Sequence, residues 1–142
     1  MKHIRHVGLV VSNIEKALLF YRDLLGLKIQ GTSSEKGDFI KSITSIDNVQ
    51  LNTVKLSADD NSTRIELIEF LSQKPSKNTT TLSTNGFTHV ALTVSDLDEL
   101  YKKLRKNNIT FTSEPKISPN GKLKITFCRD FEGNFLELTE EL

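Results

Sequence analysis

"HVGLVVSN" at residues 6–13 and "HVALTVSD" at residues 89–96 are near copies of one another. Each opens on a histidine and continues as an alternating apolar run that reads as a strand. Ser12 or Asn13 in the first copy, and Ser95 or Asp96 in the second, then offers a helix N-cap. A helical pattern follows both times. "IEKALLFYRDLLG" carries Ile14, Ala17, Leu18, Tyr21, Leu24 and Leu25 at three- and four-residue spacing and stops at Gly26. "LDELYKKLRKNN" carries Leu97, Leu100, Tyr101 and Leu104 in the same way. Five of the ten positions from His6 to Glu15 are identical in the copy. A strand and its helix are therefore written twice.

Downstream of the first helix, "LKIQGTS", "VQLNTVKLS" and "RIELIEFLS" read as strands and "ADDNST" as a turn. Within "EKGDFIKSITSIDNVQ" the run "FIKSI" suits a strand or a short helical turn. Downstream of the second helix, "ITFTSEPKIS" reads as a strand interrupted at Pro115, and "KLKITFCRD" and "FLELTEEL" as further strands. "PNG" and "FEGN" are turns, with Gly133 at a left-handed position. Each half thus runs strand, helix, strand, strand, strand, and the chain is an internally duplicated α+β domain. Module 1 covers residues 1–72, module 2 covers 86–142, and the polar stretch 73–85 reads as a linker or as a segment that orders over a ligand. The closing strands match as well, "ELIE" at 66–69 against "ELTE" at 137–140. The histidines lie 83 residues apart but the glutamates 71, so the second copy is about 12 shorter. That difference is expected within 35–62, and residues 33–48 are expected at the rim of any site the modules build.

Composition removes several classes of function. The 142 residues carry 19 basic and 18 acidic side chains, a net charge of +1 that provides no field for nucleic acid or an anionic membrane. The single cysteine, Cys128, rules out an internal disulfide and fits a reducing, cytoplasmic setting. In a strand with no histidine beside it in sequence, it reads as a small core residue. The N-terminal apolar run is too short for a secretory signal, and nothing approaches the roughly 18 apolar residues a membrane span requires.

Strand parity then selects residues, because side chains at i and i+2 share a face. In the first strand Val7, Leu9 and Val11 form the series that should pack on the helix, so His6 faces away from it. In the copy Val90, Leu92 and Val94 play that part and His89 faces away. Glu66, between Ile65 and Leu67, and Glu137, between Leu136 and Leu138, point toward the face the histidines occupy. A buried carboxylate needs a partner or a metal. A divalent cation would satisfy all four residues, and imidazole with carboxylate suits Zn, Ni, Co, Mn or Fe(II). Glu69 and Glu140 have the opposite parity and are expected to be solvated. His3 has no counterpart in the copy and reads as surface.

"HVGLVVSNIEKALLFYRDLLGLK", "RIELIEF", "FTHVALTVSDLDELYKKL" and "RDFEGNFLELTE" together resemble the vicinal oxygen chelate superfamily, which contains glyoxalase I, methylmalonyl-CoA epimerase, fosfomycin-resistance proteins, bleomycin-binding proteins and extradiol dioxygenases. The resemblance covers nearly the whole chain; Phe131 stands where the family's last turn usually has proline. It implies two βαβββ modules whose sheets form a cup around a metal, with His6, Glu66, His89 and Glu137 at the ligand positions. A full His, Glu, His, Glu set is most similar to glyoxalase I.

The reaction the resemblance implies is a lyase or isomerase step: proton abstraction next to a carbonyl with metal stabilisation of the enediolate, Glu137 or Glu66 carrying the proton. Alternatives within the same superfamily are a dioxygenase, an epoxide-opening transferase, or a metal-free protein that sequesters a small molecule. The implied partners are a small-molecule substrate and a second copy of the chain in a homodimer. Arg5, Arg22 and Arg64 are candidates for an anionic substrate group; Arg64 shares the parity of Glu66 and is the one expected to face the site.

Overall fold

In the computed structural model, residues 1–58 and 63–142 are described; most of the expected "ADDNST" turn, at 59–62, lies outside them. The chain divides into two compact units, Met1–Ser76 and Lys77–Leu142. The first unit runs β1 (His6–Val10), α1 (Ile14–Leu18), β2 (Lys28–Lys36), α2 (Asp38–Thr44), β3 (Gln50–Ser57) and β4 (Arg64–Phe70). The second runs β5 (His89–Thr93), α3 (Leu97–Lys106), β6 (Lys116–Ile117), β7 (Leu123–Arg129) and β8 (Phe135–Glu141). The two sheets have the same plan, in the orders β1-β4-β3-β2 and β5-β8-β7-β6. In each, the first strand lies parallel to the last and the remaining pairs are antiparallel.

The caps settle on the second candidate in each copy. Asn13 Oδ1 accepts from Lys16 N at 2.8 Å, and Asp96 Oδ1 from Glu99 N at 2.9 Å. The first helix is not α-helical throughout. After Leu18 it widens into a π-helical stretch, Leu19–Leu24, in which Leu25 N bonds to Phe20 O at 3.0 Å. A wide turn holds extra residues, so the buried face rotates. Phe20, outside the expected stripe, becomes fully buried beside Tyr21, while Leu24 and Leu25 are only half-buried. Gly26, at φ 81°, then ends the helix as expected.

The two copies diverge after their helices, in the length of the next strand and in the added helix α2, of which only α2 falls wholly within 35–62. β2 has nine residues, whereas β6 has two. The expected strand around "ITFTSEPKIS" is reduced to β6 and a single bridge from Phe111 to Cys128, since Pro115 cannot donate to a ladder. "FIKSI" resolves as the helix α2. Its Ile40 packs with Val49 and Leu51 under Ile46, Ile68 and Phe70. Ile65 and Leu67 are buried in the first unit, and Leu136 and Leu138 in the second. Each such side chain contributes about 1.5–3 kcal/mol of burial.

The stretch 73–85 forms no helix or strand. Its part from Lys77 onward belongs to the second unit, where Asn78 Nδ2 donates to Asn134 Oδ1 at 2.8 Å and Arg129 Nη2 donates to Thr80 O at 3.3 Å. Asp130 organises the adjoining turn by accepting from Glu132 N and Asn134 N at 2.9 and 2.8 Å, with Gly133 at φ 87°. Among the described residues no helix is long and apolar enough to cross a membrane.

Candidate functional site

Register brings the first histidine and glutamate together. β1 lies parallel to β4 with Gly8 opposite Glu66 and His6 opposite Arg64. His6 Nε2 stands 3.1 Å from Glu66 Oε2. The other oxygen of Glu66, Oε1, is 3.1 Å from Lys55 Nζ on β3. Glu66 is therefore a buried carboxylate with both oxygens engaged, which is the condition for burying it at all. Arg64 is half-buried and shares the face of Glu66 by parity. Arg5 is exposed, and Arg22 is bonded through Nε to its neighbour Asp23 at 2.7 Å.

The second unit repeats the arrangement. Ala91 lies opposite Glu137, and His89 Nε2 stands 3.2 Å from Glu137 Oε2. Here Oε1 accepts from Thr139 Oγ1 at 3.1 Å. The position that faces Glu137 across β7, equivalent to Lys55, is Phe127. Its ring meets His89 edge-on, centroids 5.3 Å apart. His89 Nδ1 is 2.9 Å from Thr88 Oγ1.

These distances fit shared metal ligation. Two donors bound at about 2.1 Å sit about 3.0 Å apart at a right angle and about 3.4 Å apart at the tetrahedral angle. The observed separations of 3.1 and 3.2 Å fall between. Each unit offers one imidazole and one carboxylate; among the described residues no group of three or more His, Cys, Asp or Glu side chains stands together. With Nε2 of His89 on a cation, the ring proton must sit on Nδ1, where Thr88 Oγ1 accepts it.

A model of the Glyoxalase/Bleomycin resistance protein/Dioxygenase superfamily matches residues 3–138. The chain belongs to that superfamily. Among curated relatives it is similar to metallothiol transferase FosB of Staphylococcus haemolyticus, with 29% identity over 140 residues, 97% of this chain and 83% of the relative. Among solved structures it superposes on a glyoxalase family protein from Bacillus cereus with a TM-score of 0.91 and 24% identity, covering 100% and 95% of the two chains. The trypanothione-dependent glyoxalase I of Leishmania major gives a TM-score of 0.73 at 22% identity, covering 99% and 88%. At these identities the structural likeness establishes the superfamily fold.

Two points depart from the sequence reading. Glu69 and Glu140 are not simply solvated: each turns its carboxylate toward the first backbone N–H of its helix. Ile14 N approaches Glu69 Oε2 at 3.5 Å and Leu97 N approaches Glu140 Oε2 at 3.1 Å. Lys55 is not among the residues that the duplication singles out, because Phe127 stands at its place in the copy. It sits between the buried Val54 and Leu56 as Glu66 sits between Ile65 and Leu67, so the same parity rule applies to it. Cys128 is buried as expected, and burial pushes its thiol up to about 12.

Proposed function

We propose that this superfamily member is a divalent-metal-dependent lyase or isomerase of the glyoxalase I type, with His6, Glu66, His89 and Glu137 as metal ligands. The observation that carries this reading is the recurrence of one imidazole–carboxylate pair, at one register, in both units. A bound divalent ion would supply the positive charge that stabilises an oxyanion developing beside the carbon that loses its proton. The chain's own residues do the rest. Glu137 or Glu66 takes and returns the proton. Thr88 orients the His89 ring, Lys55 holds the far oxygen of Glu66, and Arg64 receives an anionic group of the substrate.

Metal analysis together with turnover of methylglyoxal plus glutathione tests this. The expected result is a stoichiometric divalent ion that is lost in both His6→Ala and His89→Ala, and hemithioacetal isomerisation that depends on it. A protein unable to take up Ni, Co, Mn, Zn or Fe(II) would overturn the reading. A second reading, thiol transfer to an epoxide, is favoured by the similarity to a metallothiol transferase. Metal-dependent consumption of a thiol with an epoxide, and none with methylglyoxal, would select it.

A further inference from the structure

The face of the first sheet opposite His6 and Glu66 carries a cleft of about 540 Å³, lined by Asn13, Glu15, Thr32, Ser34, Asn52 and Glu69 among others. Its meaning comes from the second unit, where a lysine stands between the equivalent carboxylates. Ile14 and Leu97 begin the equivalent helices, so Glu15 corresponds to Asp98. Asn52 lies opposite Glu69 across β3 and β4, as Lys124 lies opposite Glu140 across β7 and β8. In the second unit Lys124 Nζ bridges the two carboxylates, 2.8 Å from Asp98 Oδ2 and 3.5 Å from Glu140 Oε2. In the first unit both carboxylates are retained, Asn52 stands at the position of the lysine, and all three residues line the cleft.

We propose that this cleft binds a small organic cation through a primary ammonium group, placed where the Lys124 ammonium sits in the other unit. The equivalent residues already hold such a group in the same molecule. An ammonium has three donors and no acceptor. The cleft presents acceptors in the carboxylates of Glu15 and Glu69, the carboxamide of Asn52 and the hydroxyls of Thr32 and Ser34. Arg22 feels the charge of Glu15, but its guanidinium is bonded to Asp23. A volume of about 540 Å³ exceeds what a bare ion fills and leaves room for the body of an amine. The site lies across the sheet from the His–Glu pair and does not depend on metal.

The test is titration of the full ¹⁵N-labelled chain with n-butylammonium, which reproduces a lysine side chain, against butan-1-ol as the uncharged analogue. Saturable shifts of the Ile14, Ser34 and Asn52 amides across the millimolar range, absent with butan-1-ol, are expected. Asn52→Lys should abolish them and raise the thermal midpoint by about 2–4 °C by restoring the bridge. Glu69→Gln should also abolish them, which keeps the test decisive if Asn52→Lys folds poorly. Equal shifts with butan-1-ol, no saturation with n-butylammonium, or a saturable response retained in Glu69→Gln would overturn the proposal.

Discussion

The ammonium of Lys55 lies 3.1 Å from Oε1 of Glu66, the carboxylate whose other oxygen faces His6. In the second unit the equivalent neighbour of Glu137 is the ring of Phe127. The duplicated site is therefore chemically unequal: one carboxylate is held by a cation and the other by the Thr139 hydroxyl. Removing the cation leaves a carboxylate side chain that is only 12% exposed without its charge partner. Lys55→Met is expected to cost about 1–2 kcal/mol in urea unfolding of the metal-free protein, less than a fully buried pair because Lys55 still reaches water. In a Glu66→Gln background the same substitution should cost little, which a double-mutant cycle would read directly.

Proton transfer is expected to require one of the two glutamates in its carboxylate form. Glutamine retains an oxygen donor but has no basic site. Glu137→Gln or Glu66→Gln, whichever removes the base, should lower kcat by about 10²–10⁴-fold while metal content is retained. Turnover by both variants at the wild-type rate would end the proton-transfer assignment.

Thr88 is expected to act on metal affinity through His89 alone. Its hydroxyl stands 2.9 Å from Nδ1, on the far side of the ring from Glu137. Thr88→Val should weaken divalent metal binding by about 10–100-fold in a chelator competition titration, and Thr88→Ser should recover it. A purely structural role would instead lower the thermal midpoint and leave affinity unchanged.

Cys128 is expected to be inert in the native protein and to destabilise it at high pH. Its thiol is buried and shifted from 9.0 up to about 12, so the unfolded chain releases the proton first. The stability associated with the protonated thiol is fully present below pH 9 and is lost as pH rises from there toward 12. Cys128→Ala should flatten the pH dependence of the unfolding free energy across that window. Ellman's reagent should react at pH 8 only after denaturant is added.

The duplication, the α+β class, and the pointing of His6 with Glu66 and of His89 with Glu137 to one face of their own sheets are legible in the amino-acid sequence. These follow from local rules: a period of two along a strand, a stripe along a helix, a cap at its start. Tertiary structure decided what meets those residues. Lys55 reaches Glu66 only because β3 pairs with β4 in one register, and a shift of one residue would send it to the other face. The same pairing brings Asn52 beside Glu69 where Lys124 stands beside Glu140, so a cleft borders the one carboxylate and a lysine bridges the other. "FIKSI" fits two periods equally well, and as a helix it packs Ile40 in a cluster with Ile68 and Phe70 of the distant strand β4. Local pattern sets which way a side chain points; the energy of what it then touches depends on residues distant in sequence, and folding alone brings them into reach.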